Sequence, residues 1–216
     1  MLGEKVKAFI DKEADRVARS NPFFQATYRG ELTAQQWEKF IQNIIYLIRF
    51  TPPHLKRALK KAQVQGLPTM QRFFSEKISE EVGHDKWGEQ DVASLKGEFQ
   101  EVDLDAINSG TQKMLAYHKD IIDRDCRLYV LYIMFAEYFT VIKGEELIGN
   151  LEKKCNIARD CASVITKHSD LDREHIIDDL KVLNHEEFSS FSDDEIEKIL
   201  RNTFCFYEEM VNQCLH

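Results

Sequence analysis

The chain has 216 residues, 43% apolar and 31% charged, with only 9 Gly and 4 Pro. That composition excludes disorder and argues against a loop-rich β sandwich. With 29 Lys and Arg against 37 Asp and Glu, the net charge of -8 repels phosphate backbones, so non-specific nucleic-acid binding is excluded.

Helical periodicity runs through nearly the whole chain. Val6, Ile10, Ala14 and Val17 step by three or four and mark a first amphipathic helix. Asn21-Pro22 breaks it, and a short segment through Tyr28 ends at Gly30. Thr33 is the predicted N-cap of a helix with Trp37, Phe40, Ile44, Leu47 and Ile48 in its buried stripe. Pro52-Pro53 is expected to end that helix and start another, running to Gly66. Thr69 would cap a helix through Phe73, Ile78 and Val82 to Trp87. A loop from Gly88 to Gly97 and an acidic turn lead to a helix from Ala106 to Ile122, interrupted at Ser109-Gly110. A very apolar central helix follows, from about Arg127 past Gly144. Ala158 to Lys167, Asp172 to Leu183 and Asp193 to about Asn212 complete the set, the last capped by Ser192. No strand alternation or internal repeat stands out. The expectation is an all-α fold, a single compact bundle of about eight helices spanning residues 1–216.

No apolar run reaches the roughly 18–20 residues of a membrane span. The best candidate, Leu128 to Ile142, contains Glu137. The start, Met-Leu-Gly-Glu-Lys, turns amphipathic at once, unlike a signal peptide. Five cysteines without a CxxC pair read as reduced thiols of a cytoplasmic protein rather than a zinc site.

Three features carry possible chemistry. His168, Asp172 and His175, at offsets 0, 4 and 7, share one helix face and suit iron, manganese or zinc. Glu81 and His84 form a Glu-x-x-His pair, the ligand unit that carboxylate-bridged di-iron proteins place in helix cores. Each pattern taken alone is equally a polar helix face. Glu137 is the only charged residue between Arg127 and Lys143. A carboxylate there must be paired, protonated or bound to metal. A buried ion pair with Lys or Arg and a metal ligand are its two readings. Together the features supply three carboxylates and three imidazoles, a mixed N and O set sufficient for two divalent ions.

With these motifs the sequence resembles the heme-oxygenase-like di-iron oxidases and oxygenases, within the wider superfamily of heme oxygenase, thiaminase-II-like and pyrroloquinoline-quinone-synthase-like proteins. The resemblance covers Asn21 to about Leu183. It rests on Asn21-Pro22-Phe23-Phe24 followed by Gly30-Glu31-Leu32-Thr33, on Glu80-Glu81-Val82-Gly83-His84-Asp85, on Glu137, and on the His168, Asp172, His175 run. The separations also match, with 53 residues from His84 to Glu137 and 31 from Glu137 to His168.

The resemblance implies an enzyme that oxidises a small amine, acid or amino-acid-like molecule with dioxygen at two irons, one of them replaceable by manganese, and without heme. Glu81, His84, Glu137, His168, Asp172 and His175 would be the metal ligands. Tyr28 and Tyr138 would shape the pocket or hydrogen-bond an intermediate. A homodimer is the expected assembly, with no nucleic-acid or membrane partner. In several members a Glu precedes the first His by about seven residues; here that position is Lys77, so Glu81 would serve, or Glu76. A single iron is the alternative this departure opens. Other readings on the same fold are a cofactor-free quinone-synthase-like enzyme, a thiaminase-like enzyme with Cys126 or Cys155 as nucleophile, and a non-catalytic helical interaction protein.

Overall fold

A computed structural model describes residues 1–98 and 107–216. Among them stand nine α-helices and no strand: α1 Leu2–Ser20, α2 Pro22–Arg29, α3 Ala34–Gln65, α4 Pro68–Glu81, α5 Asp85–Lys96, α6 Ser109–Arg124, α7 Val130–Lys154, α8 Ser163–Leu183 and α9 Asp193–Gln213. Their buried faces share one apolar cluster. None of these helices is long and apolar enough to cross a membrane. The expected acidic turn and Ala106 lie outside the described residues.

Local chemistry sets many of the boundaries. Asn21 accepts from the Phe23 N–H and caps α2, whose first residue is Pro22. Thr33 and Gln36 close a reciprocal capping box at the start of α3. Asn108 caps α6 by accepting from the Thr111 N–H, and Ser192 caps α9 through the Glu195 N–H.

Several boundaries differ from those the sequence predicts, among them the start of α6 at Ser109, where an interruption is expected. First, α3 runs through Pro52 and Pro53 without stopping. Two prolines inside a helix cost about 3 kcal/mol each or more. Buried apolar residues on both sides, Ile41 and Ile45 before and Leu55 and Ala58 after, keep the helix in one piece. Second, the expected helix from Thr69 to Trp87 is two helices. It breaks at Val82 and Gly83, where Gly83 has φ 91°. Third, Gly88 to Gly97 is not a loop, because α5 covers most of it and buries Val92 and Asp91. Fourth, residues 163–183 are a single helix, so His168 and Asp172 lie inside α8 rather than at helix ends.

The long α7 is buried around most of its circumference, as its composition predicts. Its Gly144 lets Ile165 of α8 approach, with 3.1 Å left for a would-be Cβ. Seven residues earlier in α7 is Glu137, and seven later in α8 is Asp172. In an antiparallel pair these steps bring the two carboxylates together.

Gly110 packs directly on the α9 backbone, where a Cβ would stand 2.4 Å from the Met210 nitrogen. Gly110→Ala should therefore lower stability by about 1–3 kcal/mol. Gly149 in α7 has open space around its Cβ position, and Gly149→Ala should raise stability by about 0.5–1 kcal/mol. Urea unfolding midpoints of the two variants check this contrast, and equal effects would contradict the packing described.

Candidate metal centre

Two groups of ligand-type side chains converge among the described residues. In the first, ligand atoms of Glu81, His84 and His168 lie within 4.8 Å of one another. In the second, the same holds for Glu137, Asp172 and His175. All six residues proposed from the sequence are thus brought into two clusters. Glu81, Glu137, His168 and Asp172 line the same cavity.

The first group depends on the break at Gly83. Glu81 is the last residue of α4, and His84 immediately precedes α5. The turn between them leaves His84 Nδ1 3.6 Å from Glu81 Oε2, with side chains only 11% and 12% exposed. His84 stacks on Trp87 at 4.1 Å between ring centroids. His168 meets His84 edge to face at 4.9 Å. Asp91 of α5 holds α8 in place. Its buried carboxylate accepts from the backbone N–H groups of Ser163 and Val164, each at 2.8 Å. That satisfies donors at the start of α8 and fixes His168 one turn further along.

The protonation pattern suits a metal. His168 Nδ1 lies 2.7 Å from the Val164 carbonyl oxygen, which can only accept, so Nδ1 carries the proton and Nε2 keeps a free lone pair. This backbone anchor is the usual support of a ligating imidazole. His84 Nδ1 is buried without a hydrogen-bond partner and faces the Glu81 carboxylate. Burial works against the Glu81 carboxylate, but His84, His168 and Lys77 hold it below the ordinary carboxylate range. Two imidazoles and one carboxylate with open positions form the donor set favoured by non-heme ferrous iron.

The second group is richer in acid. Asp179, one helical heptad beyond Asp172, joins it from α8 and is fully buried. Lys77 of α4 reaches in from the other side, with Nζ 2.7 Å from Glu137 Oε1 and 3.6 Å from Asp179 Oδ1. Burial alone would lower the Lys77 ammonium, yet Asp179, Glu137 and Glu80 hold it above its ordinary value. Burial and the neighbouring carboxylates Asp179 and Asp172 push Glu137 up against the pull of the Lys77 ammonium, and burial raises Asp179 to about 6 against the same ammonium. Asp172, 3.4 Å from His175 Nδ1, holds that imidazole above its usual range. Both readings of Glu137 therefore meet at one place: it is ion-paired to lysine and it stands in a ligand group.

The structure corrects the two tyrosines. Tyr28 is 57% exposed beneath the Lys154 ammonium, and it does not line the central cavity. Tyr138 donates to Asp11 of α1 at 2.7 Å and also faces away from the cavity. Tyr138 follows Glu137 directly on α7, but the helix turn carries its ring to another face, and Tyr28 lies on α2, which carries none of the candidate ligands. The tyrosines that do line the cavity are Tyr132 and Tyr207, kept as neutral phenols by burial. Neither expected cysteine nucleophile lines the cavity. Burial pushes the Cys126 thiol up to about 11 and raises that of Cys155.

No protein-family model matches the chain, and no curated protein matches it in sequence. Solved structures do match. A domain of unknown function with a heme oxygenase-like fold, from Shewanella denitrificans, superposes with TM-score 0.82 at 15% identity, covering 98% of this chain and 91% of that one. The fold is heme oxygenase-like. A TenA homolog from Pseudomonas syringae pv. tomato gives TM-score 0.70 at 11% identity, over 98% of this chain and 91% of that chain. A CADD-like protein of unknown function from Nostoc punctiforme gives 0.68 at 15%, over 98% and 97%. At such identities the likeness establishes the fold.

Trp87 reports on the first group because it stacks on His84. Adding cobalt(II) should quench tryptophan fluorescence, and Trp87→Phe should remove most of the response. Quenching that survives this substitution would place the ion elsewhere.

Proposed function

We propose that the chain is a non-heme iron, dioxygen-dependent oxidase or oxygenase acting on a small organic molecule. The observation that supports this most is the convergence of Glu81, His84 and His168 at the edge of an apolar cavity. Iron held there would supply the electrons that dioxygen needs to react with an organic substrate. Glu137, Asp172 and His175 form a second group of ligand-type side chains, of which Glu137 and Asp172 line the same cavity.

The protein's own groups supply the rest. The cavity, about 140 Å³, is walled by side chains such as Phe40, Leu47, Phe135, Phe139 and Ile165. A cavity of about 150 Å³ lined by such residues stays dry and takes a benzene ring. An amine, acid or amino-acid-like substrate would thus place a ring-sized or short-chain apolar part here. The polar side of the cavity is formed by Glu81, Glu137, His168, Asp172, Lys77 and Lys143, the last ion-paired to Asp15 at 2.6 Å. Thr51 and Thr140 also line it, but their hydroxyls donate to their own helices, to the carbonyls of Leu47 and Ala136. Bonded in this way, the two threonines add little polarity to that part of the wall.

Anaerobic addition of ferrous iron, desalting and metal analysis test the reading, followed by dioxygen uptake on mixing with air. Retained iron and iron-dependent uptake are expected. His168→Ala and Glu81→Ala should each weaken iron retention by 10-fold or more. No retained iron, or uptake unchanged in both variants, would overturn it.

A further inference from the structure

The second ligand group already contains a cation. Lys77 Nζ stands 2.7 Å from Glu137 Oε1, the same oxygen that lies 4.0 Å from His175 Nδ1. It is also 3.4 Å from Glu80 and 3.6 Å from Asp179. The side chains of Lys77, Glu137 and Asp179 are 4%, 6% and 0% exposed, so bulk water cannot take over the charge. The first group is different: among the described residues Glu81 makes an ion pair only with His84. The two halves of the centre are therefore unequal in the chain's own charge.

We infer that Lys77 is a built-in replacement for a second metal ion. The chain then holds one divalent metal, on Glu81, His84 and His168, while the Lys77 ammonium serves Glu137 and Asp179. A divalent ion on Glu137 Oε1 would have to expel that ammonium or lie against it between side chains only 4% and 6% exposed, where like charges are weakly screened and repel. Lysine is suited to the post because its single compact charge sits on a long flexible stem. The stem rises along α4, with Nζ 5.8 Å from the Phe73 ring centroid. This inference rests on the metal-binding reading above and narrows it from two ions to one.

The test counts metal. Chains are dialysed to equilibrium against cobalt(II), and bound cobalt is measured by plasma mass spectrometry, with circular dichroism confirming the fold of each variant. The wild-type chain should hold one ion and His168→Ala close to none. Lys77→Gln should hold two, and Lys77→Arg, which keeps the charge, one. Should Lys77→Gln fail to fold, Lys77→Met carries the same comparison through a side chain of similar length. Two ions in the wild-type chain, or one in the folded neutral variant, would overturn the inference while leaving a metalloprotein. No ion in the wild-type chain would overturn both readings.

Discussion

An ammonium and a carboxylate, Lys77 and Glu137, meet at 2.7 Å in the interior of a helical bundle. Neither can be removed alone at small cost, since an uncompensated buried charge destabilises by about 3–5 kcal/mol. The pair ties α4 to α7, and through Asp179 it reaches α8 as well. Those three helices carry Glu81, Glu137, His168, Asp172 and His175. The pair thus fixes the separation of the helices that build the candidate centre.

Around this pair, each remaining ligand is placed by a separate local device. Gly83 ends α4 and lets the chain turn, so that Glu81 and His84 face each other across a break. Asp91 caps α8 from a neighbouring helix and sets the height of His168. Gly144 allows α7 and α8 to close, which brings Asp172 and His175 to Glu137. Histidines outside the centre show the contrast. His118 is buried between Tyr132 and Thr203, and burial pulls its pKa down to about 3, so it remains a neutral packing group.

Much of this was legible in the sequence because helical periodicity is a strong signal. The 0, 4, 7 spacing of His168, Asp172 and His175 gives a common face because one unbroken helix spans all three. The single charge of Glu137 in an apolar stretch had to be compensated, and the expected ion pair is there, with Lys77. Elsewhere local signals were outweighed. The double proline reads as a helix end, yet the apolar residues flanking it are buried against neighbouring helices that a single sequence does not show. Tyr28 and Tyr138 could not be oriented, because a position near a motif does not determine which face a ring takes. Asp179 had a readable signal, seven residues after Asp172 on the same face, whereas the capping of α8 by Asp91 joins segments 72 residues apart and left none.

Diffraction addresses the placement of the metal most directly. Crystals of the full chain grown with cobalt(II) would be measured at the cobalt absorption edge. The account predicts one anomalous peak, bounded by Glu81, His84 and His168, with the Lys77 ammonium still seated on Glu137. A peak among Glu137, Asp172 and His175 with Lys77 displaced, or no peak at either group, would contradict it.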